Sequence, residues 1–102
     1  MKTSEVIRGA RNVLFERGWT KHYLHNSAGN VCLRGALMQA TAGRISWSVW
    51  DDISPAESII SGKLINGVNV AAWNNAPGRT FDEVIEVLDK AEKIAEQMEA
   101  GQ

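Results

Sequence analysis

The residue types best suited to chemistry lie in one stretch, where both histidines come shortly before the single cysteine. Cys32 is predicted near the start of a helix, where the helix dipole lowers the pKa of a thiol. A thiol enzyme also needs a base, usually a histidine. His22 and His25 both lie in the preceding loop, however, and no histidine follows Cys32. A thiol enzyme is therefore a minor hypothesis beside the commoner use of a small cysteine in the core.

The same three residues could also be zinc ligands. Their spacing, H-x2-H-x6-C, matches no common zinc motif, and a fourth ligand is missing unless Asp51 or Asp52 folds close to them. Two pairs of adjacent carboxylates, Asp51-Asp52 and Asp82-Glu83, lie at the starts of predicted helices. Negative charge is stabilising there, so these pairs need no catalytic role. The chain has no phosphate-binding glycine loop, no Ser-His-Asp order and no metalloprotease motif. We expect no metal, no cofactor and no enzymatic activity.

A second candidate site is the stretch Trp73–Thr80, "WNNAPGRT". Its indole ring could stack on a ligand, its amides could form hydrogen bonds, and a nearby guanidinium could pair with an anion. The residues that could make these contacts are Trp73, Asn74, Asn75, Arg79 and Arg34. This hypothesis places a small-ligand or anion pocket between the helix at residues 32–37 and the loop at residues 73–80.

A structural role for this stretch is the favoured alternative. Pro77 and Gly78 make a turn, and Thr80 with Glu83 forms a capping box that starts the next helix. The two asparagines would then tie the loop to a neighbouring helix through their side-chain amides.

Four tryptophans are many for a chain of 102 residues. They could be the bulk of a small core, each indole N–H bonded to a carbonyl. Alternatively, one or two lie on the surface as anchors of a protein interface, where tryptophan is enriched. Trp47 and Trp50 are the candidates for that role, because their segment has the weakest structural pattern.

The candidate site residues named above lie on or between four predicted helices. Apolar residues recur at helical spacing over residues 4–17, 31–42, 55–65 and 81–99. The third helix is predicted to start at the capping box of Ser54, Pro55 and Glu57. Gly18 ends the first helix, and Gly35 is expected to let another helix or a tryptophan ring approach closely.

The connections are less regular. Residues 19–31 are rich in turn formers, and Tyr23-Leu24 could pair with Val31-Cys32 as a short hairpin. Residues 44–53 alternate in polarity and are predicted to be an extended, partly buried connection. Residues 68–73 are predicted to be a short strand or a single helical turn.

The net charge of -1 hides an asymmetry between the two halves. Residues 1–50 carry seven basic and two acidic groups, whereas residues 51–102 carry four basic and ten. Either the halves fold together with their charges facing, or a basic face binds nucleic acid or an acidic partner. No run of basic residues with interleaved aromatics occurs, so nucleic acid is not expected. A lone cysteine and the absence of a signal peptide or membrane-length apolar run predict a cytoplasmic protein.

Three stretches in this order resemble an uncharacterised family, known as a domain of unknown function and common in actinobacteria and their phages. They are "RGWT" (17–20), "GNVCLRGAL" (29–37) and "WNNAPGRTFDEVIEVLDKA" (73–91). Asn75 stands where the family usually has aspartate, which argues against an essential carboxylate there. The resemblance implies a mainly helical fold and a cytoplasmic setting compatible with a phage accessory gene product, but no activity.

Together these observations predict one mainly α domain over residues 1–102, a compact bundle of about four helices with an optional hairpin near 22–32. The favoured function is that of a non-enzymatic cytoplasmic accessory protein that binds another protein. The partner is unidentified, with a second copy of the chain as one option, and neither nucleic acid nor a membrane is expected. The ligand pocket and the thiol enzyme are the alternatives.

Overall fold

The fold is a small helical bundle, seen in a computed structural model that describes residues 1–101. Its α-helices are α1 (Thr3–Arg17), α2 (Leu33–Ala42), α3 (Trp50–Ile59), α4 (Val70–Asn74) and α5 (Phe81–Ala100). A 3-10 turn (Trp47–Val49) leads into α3, and a π-helical turn (Ile60–Leu64) continues it. The prediction of a mainly α bundle of about four helices is confirmed, with the short α4 as an addition.

The core lies where α1, α2, α3 and α5 meet. Each of these helices contributes fully buried aliphatic side chains, and the largest are Ile7, Leu14, Leu33, Leu37, Met38, Ile53, Ile60 and Leu88. The α1 and α2 helices pack closely at Gly9, where an added Cβ would lie 3.0 Å from the Ala40 Cβ. In the described part of the chain, no helix is long and apolar enough to cross a membrane.

Two basic residues of the first half form charge pairs with acidic residues of the second half, between α1 and α5. Arg8 lies 2.8 Å from Glu92 and 3.4 Å from Glu96, and Arg11 pairs with Asp89 and Glu92. The expectation that the charges of the two halves face each other is confirmed. Arg8 and Arg11, which could have contributed to a basic face, are therefore paired with acidic residues of the protein itself.

The start of α3 was wrongly placed by the sequence. The helix begins at Trp50, so Ser54 and Pro55 lie inside it rather than at its start. The reason is the preceding 3-10 turn, which Ser46 caps by accepting a hydrogen bond from the Ser48 N–H at 3.2 Å. The predicted extended connection over 44–53 is therefore wrong in its second half, since Val49 is buried within a turn and not on a strand face.

The hairpin that the sequence allowed near 22–32 does not form; isolated β-bridges are found in its place. Within residues 1–101 the β pairing consists of two isolated bridges, from Trp19 and from His25 to Val31. The loop is held against α2 instead, because the Cys32 N–H donates to the Leu24 carbonyl at 3.1 Å. Residues 68–73, which were predicted to be a short strand or a single helical turn, contain the start of the short helix α4. The helical alternative is therefore the correct one.

Candidate functional site

Asn74 is the polar centre of the region between α2 and the 73–80 loop. It is fully buried at the end of α4. Its Oδ1 accepts hydrogen bonds from Trp19 Nε1 at 2.7 Å and from the Leu33 N–H at 3.1 Å. Its Nδ2 donates to the Thr20 carbonyl at 3.2 Å and to Asn75 Oδ1 at 3.0 Å. Every hydrogen-bonding position of this amide is occupied within the protein, as a structural role requires.

Asn75 holds the loop on the other side of the same contact. Its Oδ1 accepts a hydrogen bond from the His22 N–H at 2.7 Å. His22 has a φ of 74°, a left-handed conformation that is uncommon outside glycine, so this bond fixes a strained residue. Lys21 adds a bond from Nζ to the Ala76 carbonyl at 2.9 Å. The two asparagines thus tie the 19–31 loop to α4.

Trp73 and Arg79 contact each other within the turn. The guanidinium carbon of Arg79 lies 3.9 Å from the Trp73 ring centroid, and Arg79 Nε donates to the Trp73 carbonyl at 2.9 Å. Arg79 Nη1 also lies 3.2 Å from Glu83. The predicted capping box is present, with Thr80 Oγ1 accepting from the Glu83 N–H and Glu83 accepting from the Thr80 N–H. That bond is the main cause that lowers the pKa of Glu83.

Arg34 forms a buried ion pair that the sequence did not indicate. Its Nε and Nη2 donate to the two carboxylate oxygens of Glu57 at 2.7 and 2.8 Å, and both side chains are buried. The hydrogen bond to Glu57 raises the pKa of Arg34. Because a forked pair of this kind is planar, it also fixes the plane of the guanidinium.

Two tryptophans lie against that guanidinium. The Arg34 guanidinium carbon is 5.4 Å from the Trp47 ring centroid and 5.0 Å from that of Trp50, and the two rings are 5.8 Å apart. Trp47 is 57% exposed and Trp50 39%, and Tyr23, which lines the same small cleft as Trp47, is 66% exposed. We call these three side chains the aromatic patch.

Two clefts open beside the aromatic patch. One, of about 180 Å³, lies between the patch and the start of α2, where its lining includes Cys32, Arg34 and Asn75. The other, of about 390 Å³, lies beside Trp50 and is lined by serines of α3 and by Asn69. The structure thus brings Arg34, Trp47 and Asn75 to one cleft, whereas Trp73 and Arg79 lie outside that lining and Asn74 is buried beneath it.

Cys32 lines the smaller cleft but is a poor nucleophile. It is the N-cap of α2, and its Sγ accepts a hydrogen bond from the Gly35 N–H at 3.3 Å. Burial raises the pKa of the Cys32 thiol, which is the opposite of the lowering expected from the helix dipole. Residues 1–101 hold no cluster of three or more metal-ligating side chains.

The start of α2 is a poor anion site because its amides are used internally. The Leu33 N–H bonds Asn74, and the Gly35 N–H bonds Cys32. Gly35 permits the close approach predicted for it, although the neighbour is backbone: an added Cβ would lie 2.1 Å from the Leu24 carbonyl oxygen.

Sequence reasoning missed two residues of this region, Glu57 and Tyr23. Glu57 had been given to a capping box, but it lies at helical spacing with Ile53, Ala56 and Ile60, all buried. A charged residue on the apolar face of a helix signals a buried partner. Tyr23 carried no comparable signal, because only the folded loop brings it to the cleft that Trp47 also lines.

No curated protein and no solved structure matches the chain significantly. A family model matches residues 1–94, which include α1 to α4, the aromatic patch and most of α5. The chain therefore belongs to the Family of unknown function (DUF6197).

Proposed function

We propose that the protein is a non-enzymatic accessory protein that binds another protein through the aromatic patch. The observation that carries this proposal is the position of two exposed tryptophan rings over one buried guanidinium, with the exposed Tyr23 in the lining of the adjoining cleft. Tryptophan, tyrosine and arginine are the residue types most enriched among the hot spots of protein interfaces. The lone cysteine and the family resemblance favour a cytoplasmic setting, including that of a phage-infected host.

The ion pair beneath the patch supports a binding role. A buried ion pair is seldom more stable than apolar residues of similar volume, so stability alone does not account for Arg34 and Glu57. Their forked contact fixes the guanidinium that lies beneath both indole rings. Rings that are fixed before binding lose less conformational entropy when a partner docks.

The charges of the fold favour a protein over nucleic acid as the partner. Arg8, Arg11 and Arg34 are each paired with an acidic residue. Nucleic acid binding depends on basic groups that are free to contact phosphates, and these three are already matched.

Affinity capture with variants of the patch tests the proposal. The tagged protein, Trp47→Ala and Trp50→Ala are used to capture partners, which are identified by mass spectrometry. We expect a partner that wild type retains and both variants lose. Phe15→Ala is the matched control, because Phe15 is an exposed aromatic outside the patch. Sedimentation of the purified protein detects a second copy as the partner. Capture that is indifferent to both tryptophans would contradict the proposal.

A small ligand in the cleft of about 180 Å³ is the second candidate function. It is supported by a cleft close to the predicted place, with Arg34 and Asn75 in its lining. The volume is below the roughly 300 Å³ of an ordinary ligand pocket, so it suits a small molecule or one side chain. A thermal-shift screen of nucleotides and metabolites, repeated on Asn75→Ala, tests this candidate. A screen with no stabilising compound would rule against it.

A further inference from the structure

The aromatic patch offers hydrogen-bond donors that the protein itself does not use. Trp19 Nε1 donates to Asn74, but the indole N–H groups of Trp47 and Trp50 donate no hydrogen bond within residues 1–101. Arg34 uses Nε and Nη2 on Glu57, and its Nη1 forms no hydrogen bond in the same range. Flat apolar rings therefore lie beside several unused N–H groups.

The charged residues near the aromatic patch indicate what charge its partner carries. Glu57 neutralises Arg34, so the guanidinium beneath the rings does not call for an acidic partner. Asp51 and Asp52 follow Trp50 directly, are exposed, and form no ion pair in the described part of the chain. With Arg44, whose Nη2 contacts Ser48 Oγ, the segment 44–54 has a net charge of -1. The two exposed carboxylates of Asp51 and Asp52, next to Trp50 in the sequence, are complementary to a basic group.

We infer that the partner docks on the aromatic patch with a proline-rich segment that carries a basic residue next to its prolines. Proline has no N–H, so such a segment presents carbonyl acceptors to the unused indole and guanidinium donors. Its rings pack on aromatic faces, and its extended helix is already ordered before binding. This inference rests on the proposed function and names the chemistry of the partner.

The two clefts fit this mode of binding. Trp47 lines one cleft, Trp50 lines the other, and Arg34 borders both. In other domains proline-rich segments dock in grooves lined by aromatic side chains, and each of these clefts has one of the two tryptophans in its lining. Asp51 and Asp52 would pair with the flanking basic residue at the Trp50 end.

The test is a titration of the full protein with a synthetic peptide of eight prolines followed by two lysines. A peptide in which glycine and serine replace the prolines is the control. Binding is followed by NMR of the indole N–H signals. We expect saturable shifts of the Trp47 and Trp50 signals with the proline peptide alone, and little change at Trp73. No saturable shift at millimolar peptide, or equal binding of both peptides, would overturn the inference.

Conservative variants separate donor contacts from simple ring packing. Trp47→Phe and Trp50→Phe keep an aromatic ring and remove the N–H, and each is expected to weaken binding about fivefold, as for the loss of one hydrogen bond. Trp73→Phe is the matched control with unchanged affinity. The double variant Asp51→Asn and Asp52→Asn is expected to weaken binding and reduce its dependence on salt. A captured partner that requires both tryptophans but has no proline-rich segment would overturn this inference and leave the proposed function standing.

Discussion

Asn74 Oδ1 lies 2.7 Å from Trp19 Nε1, and this hydrogen bond joins the end of α4 to the second residue after α1. The same oxygen accepts from the Leu33 N–H, and Asn74 is fully buried. Asn74→Ala therefore leaves two donors without acceptors and is expected to destabilise the protein by about 3 kcal/mol. Urea denaturation followed by tryptophan fluorescence measures the change.

Asn75→Ala is the matched control for that measurement. Asn75 is only half-buried, and its Oδ1 accepts from the His22 N–H and from Asn74 Nδ2. Because the bond to His22 is exposed, water can replace the lost acceptor there. We expect a smaller loss of about 1 kcal/mol. Equal losses for the two alanine variants would contradict the central role given to Asn74.

Gly35→Ala tests the contact between α2 and the 19–31 loop. The new Cβ would lie 2.1 Å from the Leu24 carbonyl oxygen, and backbone atoms must move to make room. We expect a loss of about 3 kcal/mol, as for an overpacked core. Gly62→Ala is the control, because no atom lies within 4 Å of its added Cβ, and the thermal midpoint should stay or rise. A midpoint unchanged by Gly35→Ala would contradict the contact.

A capping signal in the sequence predicted the start of α5 correctly, but a similar signal failed for α3 because its start depends on the preceding turn. Thr80 and Glu83 start α5 as their types and spacing indicate. Ser54, Pro55 and Glu57 carried an equally strong local signal, yet α3 starts before them. The preceding turn continues directly into α3, and the buried Arg34 takes Glu57 as its partner.

In the candidate site, too, the sequence predicted local features but not the contacts between distant residues. The sequence predicted the turn at Trp73–Thr80 and identified Trp47 and Trp50 as surface candidates, and both tryptophans are exposed. It did not predict that Arg34 would join them, because that contact depends on how α2 packs against α3. Arg34 is far in the sequence from the tryptophans that it contacts. Neither the hydrophobic periodicity of a helix nor the spacing of a local motif predicts such a tertiary contact.

Removing one partner of the Arg34–Glu57 pair should be costly. Glu57→Gln leaves a buried guanidinium without its counter-charge, and we expect a loss of about 3 kcal/mol. The double variant Arg34→Met and Glu57→Met should lose less than the sum of its single variants, which a double-mutant cycle in urea measures. Lys90→Ala removes an exposed ion pair with Glu86 and should have no measurable effect. Additive losses would show that the pair is not coupled.

Cys32 should react slowly in the folded protein. Its thiol is buried, and burial raises its pKa, so the thiolate fraction at neutral pH is lower than for a free cysteine. We expect iodoacetamide to modify Cys32 rapidly in urea and much more slowly in buffer, as followed by intact-mass spectrometry. Rapid modification of the folded protein would revive the thiol hypothesis.

Glu99 gives the fold a contribution to stability that depends on pH. Ser4 donates to its carboxylate from Oγ at 2.6 Å and from the backbone N–H at 3.1 Å, and these bonds lower its pKa below the ordinary value of 4.5. A lowered pKa means that the contribution is fully present above pH 4.5 and is lost as the pH falls through the pKa of the folded state. The stability difference between wild type and Glu99→Gln should thus be constant near neutral pH and shrink under acid. Glu86→Gln, which does not contact Ser4, is the control, and a Glu99→Gln difference that grows in acid would contradict the contact.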